Sequence, residues 1–450
     1  MVKRNRFGQE ELKYVAQALE SGDLWPYVYT GSPQRRHFSQ EAKDLTEKHF
    51  RDRGADGNVY MVPTASGTAS IHVALGGLKI PAGSEVITTP ITDPGTVMPI
   101  IFHNTIPVFA DVDPTSGLIT KATVKNLINH RTSAIIAVHL TGSPADIDGI
   151  KEAISERRAE DTSIKQDIKI IEDVAQGLGA SYKGRPLGTL GDAGCFSLNS
   201  QKHITVGEGG FVLLGNEPDF YRCHNFSDKH RDRWDVEGEH GKYKGIGHSL
   251  RMSELQAAML LAQIEKLDGL AQRRHEFGAA VDDALRGDGR VTSQVHFADS
   301  HPTFFFHMFA ISDPDKSDLR DALKKRIRVH LARMQAEYNT NEPDEEKHDP
   351  FEGISVRGSY SNNDTPVYKY DVFQGRSFFP NSRRLWPAEL VAIANYDEIS
   401  EGYYDYRQVS CPMAESYLSR SLSIYLDERH GEWHGEKVAE AVKLALDEVF

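Results

Sequence analysis

Residues Ile168–Gly177 read IKIIEDVAQG. Ile168, Ile170 and Ile171 make a short β-branched run, which suits a strand buried on both faces. Glu172 and Asp173 place two carboxylates at its end. Sheets of parallel strands bind ligands outside the carboxyl ends of those strands, so a carboxylate there is placed for ligand chemistry. A lone carboxylate in that position reads equally well as a helix cap.

The flanking sequence repeats the pattern. Strand-like runs at Asn58–Val62, Glu85–Thr89, Pro107–Asp111 and Ala134–Val138 are separated by helical windows at 67–78, 96–103, 121–129 and 146–157. Strands apolar on both faces and separated by helices predict an α/β protein with a mostly parallel sheet between helices. Gly194–Leu198 and Gly210–Leu214 leave little room for a helix between them and predict an antiparallel member. Upstream, Gly8–Ser21 predicts a helix with Leu12, Val15, Ala16 and Leu19 on its apolar face. Downstream, a helix over Ser253–Leu285 links to a second part of the chain. That part holds a strand at Thr303–Ile311, a helix at Lys316–Lys325, a polar region at 335–405 and a closing helix at 435–449. Within the polar region, Glu342–Asp349 (EPDEEKHD) reads as a solvated loop. The division expected is a large domain over 1–262 and a smaller α+β domain over 263–450, the polar region being an insertion in the latter.

Composition narrows the class without naming a chemistry. The chain has 450 residues, and 52 Lys plus Arg against 65 Asp plus Glu give a formal charge of −13. An acidic surface repels phosphate backbones, so nucleic acid is not an expected partner. Hydrophobic residues at 39% are enough for a packed core. Cys195, Cys223 and Cys411 are few, scattered and odd in number, which fits a reducing cytoplasm. Met1–Phe7 is basic but is followed by no apolar stretch, and no window suits a membrane span, so neither a signal peptide nor a membrane partner is expected.

Several motifs are missing: a Walker-type phosphate loop, a Gly-x-Gly-x-x-Gly after the first strand, a Gly-x-Ser-x-Gly elbow, and Cys-x-x-Cys. His430 and His434 stand four apart but lack a third ligand at sensible spacing, so no metal is expected. Two segments are more informative. Thr64–Ser70 (TASGTAS) makes a small-residue turn into the helix Ile71–Leu78, where free N–H groups and the positive dipole end suit a phosphate. Ser and Thr there are also ordinary N-caps. Cys195–Gly210 (CFSLNSQKHITVGEGG) sets Lys202 among polar residues before a glycine-rich turn, and a desolvated lysine amine attacks carbonyl carbons.

Taken in order, Ser66–Ala69 (SGTA), Pro107–Asp113 (PVFADVD), Val138–Gly142 (VHLTG), Glu172–Gln176 (EDVAQ), Lys202 with Gly207–Gly210 (GEGG) and Arg251–Ala258 (RMSELQAA) resemble the DegT/DnrJ/StrS family of pyridoxal-phosphate sugar aminotransferases, of the aspartate-aminotransferase fold type. The likeness runs from about Phe7 to Leu285 and returns at Cys411–Glu415 (CPMAE). It implies a seven-stranded-type sheet and pyridoxal 5′-phosphate as cofactor. It implies further that Lys202 forms the internal aldimine and moves the proton, and that Asp173 pairs with the pyridinium nitrogen. Gln176 would bond the ring's 3-oxygen, while Gly67, Thr68 and Ser197 would hold the phosphate. Some relatives carry His at the lysine position and are dehydratases; Lys202 here, with His203 one step beyond, points to transamination. Two positions depart from the family. Asp93 or Pro94 falls near the place of a stacking aromatic ring, and Ser249 stands where an Asn reaches the phosphate bound by a partner subunit. The resemblance implies a cytoplasmic homodimer that moves an amino group from an amino acid, L-glutamate, to a nucleotide-linked keto-sugar or a keto-cyclitol, in the making of an amino sugar or secondary metabolite. A dehydratase or eliminase using the same cofactor, and a non-catalytic regulatory relative, stay open as alternatives.

Overall fold

The computed structural model describes residues 6–22, 24, 37–232, 242–243, 245–341, 350–360, 364–375 and 405–450. Helices α1 (Gln9–Glu20) and α2 (Phe38–Asp52) precede β1 (Tyr60–Thr64). Alternation then follows through α3 (Gly67–Gly77), β2 (Glu85–Thr88), α4 (Pro94–Phe102), β3 (Ile106–Phe109), the short α5 (Lys121–Val124), β4 (Thr132–Val138), α6 (Ile147–Glu160) and β5 (Lys169–Asp173). The window 121–129 is one α-turn followed by a 3-10 turn at Lys125–Leu127 rather than a single helix. After two two-residue strands, β6 (Ser181–Tyr182) and β7 (Arg185–Pro186), come β8 (Ala193–Ser197), β9 (Gly210–Leu214) and α7 (Glu217–Ser227).

Strands β1-β9-β8-β5-β4-β2-β3 form one seven-stranded sheet. β9 runs antiparallel to both β1 and β8, and the remaining neighbours are parallel. The sheet is therefore mostly parallel with one reversed strand, as the close spacing of β8 and β9 predicts. Period-two alternation sends successive side chains to opposite faces. Ile135, Ile170, Phe196 and Phe211 enter the core shared with α2, α6 and the next helix. Ile136, Ile171, Cys195 and Val212 enter the core under α3 and α7. All three cysteines are buried and unbonded.

Helix α8 (Glu254–Leu285) joins two cores. Ala257 through Leu270 pack against the large sheet, whereas Phe277, Val281 and Leu285 pack on a second, four-stranded sheet. That sheet has the order β10-β12-β14-β13, from β10 (Val291–Ser293), β12 (Phe306–Ile311), β13 (Ser355–Gly358) and β14 (Ser421–Tyr425). The remaining strand β11 (Ser300–His301) completes a three-stranded sheet with β6 and β7. The second core is closed by α9 (Arg320–Asn341) and the helix Glu432–Val449. The expected helix Lys316–Lys325 is a 3-10 stretch over Pro314–Leu319 that runs into α9. Residues 262/263 lie within α8. Of the polar region 335–405, residues 342–349, 361–363 and 376–404 lie outside the described residues. The rest carries the end of α9, β13 and a short helix Asp371–Gly375. Among the described residues no helix is long and apolar enough to cross a membrane.

Helix α1 corrects one expectation. Leu12 and Leu19, placed on the buried face by spacing, are 65% and 57% exposed, and Glu11 and Ala18 are buried instead. The reason is electrostatic. The Glu11 carboxylate accepts the Gly8 N–H at 2.7 Å, Gln263 Nε2 at 2.7 Å and Lys266 Nζ at 2.6 Å, which docks the polar side of α1 on α8. Apolar period alone does not see such a bond set.

At the end of β5, Glu172 is fully buried and fully occupied. Its carboxylate accepts the N–H groups of Gly188 (2.9 Å), Leu190 (2.7 Å) and Gly191 (2.7 Å) and bonds His139 Nε2 at 2.9 Å. Burial pushes its carboxyl up, but His139 and the backbone donors outweigh burial and hold it below the ordinary value of 4.5. Its contribution to stability is accordingly present above the unfolded value and lost as the pH falls through the lower, folded one. Glu172→Ala strands three buried donors and should cost at least about 3 kcal/mol, since each costs roughly 1–3 kcal/mol unsatisfied. Urea unfolding at pH 7 checks this, and a loss below about 1 kcal/mol would contradict the assignment.

Candidate active site

Asp173 is adjacent to Glu172 and therefore faces the other side of the strand. It is buried, with Oδ2 accepting the Thr96 hydroxyl at 2.7 Å and Oδ1 accepting the Ala175 N–H at 3.0 Å. Thr96 Oγ1 in turn lies 2.6 Å from Thr92 Oγ1. Burial is the leading influence on Asp173 and raises its pKa, outweighing these donors. Among the described residues no cation lies within ion-pair distance of it. A buried carboxylate so placed is a fitting partner for a cationic ring nitrogen.

Lys202 approaches the same space from the turn after β8. Its N–H donates to the Asn199 carbonyl at 2.9 Å, and Arg6 donates its two terminal nitrogens to the Ser200 and Lys202 carbonyls. The Arg6 guanidinium lies 3.3 Å from the buried Glu428, so the N-terminal segment and the stretch after β14 both brace this turn. Lys202 Nζ sits 4.5 Å from the centre of the Phe305 ring. Burial lowers the pKa of its ammonium, more than the carboxylates of Asp173 and Asp93 raise it. A neutral amine is thereby available at lower pH than on an exposed lysine. His203, next in sequence, is fully buried near Phe305, and burial holds its ring neutral.

The phosphate-type turn is built as its residues suggest. Ser66 caps α3 by accepting the Ala69 N–H at 3.1 Å, and the N–H groups of Gly67 and Thr68 have no acceptor among the described residues. A Cβ on Gly67 would stand 2.8 Å from Ser197 Cβ, so only glycine lets the α3 N-terminus come this close to β8. A Cβ on Gly95 would likewise meet the Thr68 hydroxyl at 2.7 Å, which brings α4 to the same turn. Ser197 is buried, and its hydroxyl accepts the Asn199 N–H at 3.4 Å. Two orphan donors at a helix N-terminus beside a serine hydroxyl make a cradle for an anion.

Gln176 is buried, its Oε1 accepting the Thr141 N–H at 2.8 Å and its Nε2 donating to the Tyr360 hydroxyl at 2.9 Å. Thr141 takes a left-handed φ of +65°, rare for a β-branched residue, where the backbone turns to meet that amide. Asp93 is exposed and caps α4 by accepting the Gly95 N–H at 2.8 Å. Its charge raises the pKa of Asp173 and opposes the lowering of Lys202, so it acts on the site as a field, without a ring to stack. Ser249 is exposed and shares a lone β-bridge with Asp228. It bonds none of these residues, although the carbonyl of the next residue, Leu250, accepts the Ala65 N–H at 2.7 Å and ties this segment to the turn.

The structure thus brings Gly67 to Ser197, Thr68 to α4, and Asp173 and Asp93 to Lys202, while Gln176 joins them through Tyr360 and Ser249 stands apart. Arg6, Phe305 and Tyr360 belong to the site without any motif to mark them. His430 and His434 accept the Asp427 and Gly431 N–H groups through Nδ1, and no metal-binding group occurs among the described residues.

Residues 7–347 match the model of the DegT/DnrJ/EryC1/StrS aminotransferase family. The chain is similar to a protein of Streptoalloteichus tenebrarius named L-glutamine:3-amino-2,3-dideoxy-scyllo-inosose aminotransferase, with 36% identity over 270 residues, 60% of each chain. A protein of the same name from Streptomyces kanamyceticus is 37% identical over 285 residues, 63% of each. Both matches span less than two thirds of the relative's length. An aminotransferase structure from Psychrobacter cryohalolentis superposes with a TM-score of 0.71 over 100% of this chain and 99% of that one. Its identity of 21% speaks to the fold alone.

The lowering of the Lys202 pKa predicts selective chemistry in the cofactor-free protein. Amidination at pH 8, mapped by peptide mass, should modify Lys202 faster than exposed lysines such as Lys183, whose contact with Asp148 raises its pKa. Equal rates with an accessible site would contradict the assignment.

Proposed function

The chain belongs to the DegT/DnrJ/EryC1/StrS aminotransferase family, and from that footing we propose that it is a pyridoxal-phosphate-dependent aminotransferase acting on a cyclic polyol ketone. The observation that carries the reading is the meeting of a lysine whose pKa burial lowers, a buried carboxylate with no cation within ion-pair distance and orphan helix donors. Each fits one part of that cofactor.

The Gly67 and Thr68 N–H groups and the Ser197 hydroxyl bind its phosphate. Asp173, steadied by Thr96 and Ala175, holds a proton at the ring nitrogen. Gln176 keeps one amide hydrogen for the ring's 3-oxygen, the other being given to Tyr360. When bound, the cofactor supplies an electron sink for negative charge at the carbon that bears the nitrogen. Lys202 Nζ would take the proton from that carbon and deliver it to the cofactor carbon on the other side of the same nitrogen, and burial, by lowering its pKa, favours that role. Phe305 beside Nζ excludes water from one side of the amine.

The acceptor we favour is a keto-cyclitol, because both relatives' names contain one; a nucleotide-linked keto-sugar is the other member of the class. The donor is an amino acid of the glutamate–glutamine pair, and those names favour L-glutamine. The product is an amino sugar or an aminocyclitol of secondary metabolism. We further read 1–262 and 263–450 as the two domains, the enzyme as a cytoplasmic homodimer, and Ser249 as reaching toward the partner subunit. Exposure of Ser249 supports that last assignment.

With pyridoxal phosphate, L-glutamine and 3-amino-2,3-dideoxy-scyllo-inosose, the protein should release a 2-oxo acid and an aminated cyclitol. Lys202→Ala should lower kcat at least about a thousandfold, within the range for losing a general base. Asp173→Asn should lower it about a hundredfold while the phosphate cradle still binds cofactor. Full turnover by Lys202→Ala would overturn the reading.

A further inference from the structure

Tyr360 stands on the segment that follows β13, inside the region 335–405, yet its hydroxyl lies within the cofactor space. The amide of Gln176 fixes the direction of their hydrogen bond. A backbone N–H can only donate, so the Thr141 N–H must face Gln176 Oε1, and the amide nitrogen must face Tyr360. Tyr360 Oη is therefore the acceptor, and its own proton is left over. Among the described residues no acceptor takes that proton.

The ring is held firmly enough to aim it. Ser423 Oγ lies 2.9 Å from both the Gly358 and the Ser359 carbonyl, and its one proton is shared between them. The Ser359 N–H and hydroxyl donate to Asp364 Oδ1 at 3.2 and 3.0 Å, and Arg320 pairs with Asp364 at 2.6 Å. The ring itself packs on Phe306, with centroids 5.9 Å apart, and Phe306 stacks on Tyr425 at 4.8 Å. Tyr360 is 8% exposed. Burial, with the charges of Asp93 and Asp173, raises its pKa well above 10, so the phenol keeps its proton at any working pH.

We propose that Tyr360 is a binding residue of the site, its hydroxyl donating to an electron-rich oxygen held beside Gln176. This rests on the cofactor reading above. That oxygen has two sources, the ring oxygen of the cofactor or a ketone or hydroxyl oxygen of the polyol acceptor. In either case the second domain, through β13, touches the reaction directly, and the polar region 335–405 contributes a donor as well as length.

Tyr360→Phe keeps the ring on Phe306 and removes only the hydroxyl, so the fold should persist with a modest drop in thermal stability from the unmet Gln176 Nε2 donor. Two measurements on the cofactor-loaded enzyme separate the sources. If the proton serves the cofactor oxygen, the pH midpoint of the bound cofactor's absorbance should move by about one unit, as for the loss of one hydrogen bond to a charged group, with acceptor KM unchanged. If it serves the acceptor, KM for 3-amino-2,3-dideoxy-scyllo-inosose should rise roughly tenfold, with kcat and the midpoint unchanged. A variant matching wild type within twofold on both measures overturns the inference. Wild-type protein that binds no pyridoxal phosphate overturns instead the reading beneath it.

Discussion

The architecture turns on two adjacent carboxylates that strand geometry sends in opposite directions. Glu172 points to one side of the large sheet, where three backbone N–H groups and His139 satisfy it completely. Asp173 points to the other, where burial costs it free energy and only two neutral donors answer. The first carboxylate organises the loop at Gly188–Gly191 and the turn after β4. The second is left with a charge that a cationic ligand would complete. A single pair of residues thus serves stability on one face and chemistry on the other.

Lys202 and the α3 N-terminus inherit their positions from that strand order. β8 lies beside β5 and carries Ser197 and the Lys202 turn, while reversed β9 seats β1, and hence the Ser66–Thr68 turn, on the far side of β8. Glycine at position 67 permits the closeness of turn and strand that an anion cradle requires. The Lys202 turn is braced across the molecule by Arg6 and Glu428, residues from the two ends of the described chain. Such bracing fixes the turn that carries the amine, and partial burial there lowers its pKa.

Local pattern was a good guide wherever the physics was local. Alternating strand and helix runs, the close pair β8 and β9, and the capped turn before α3 all follow from period and propensity. It misled at α1, where the Glu11 bond set on α8 outweighs the exposed Leu12 and Leu19. It was silent about Arg6, Phe305 and Tyr360, because an isolated arginine or aromatic carries no spacing signature. Asp93 lies between these cases. Its departure from the family is visible in sequence, but its work as the N-cap of α4 and as a charge acting on Lys202 depends on the tertiary fold.

By itself the sequence determined the α/β class, the family, and the identity of Lys202, Asp173, Gln176 and the Gly67–Thr68 turn as the residues to watch. These depend on contiguous residues, whose hydrogen bonding and strand period are set within a few positions. The tertiary structure alone decided which carboxylate of the Glu172–Asp173 pair lacks a charged partner, which direction the Gln176 amide faces, and that Tyr360, just past a strand of the second sheet, bonds that amide. Those outcomes depend on partners far away in the chain, and long-range contacts of that kind leave no period to read.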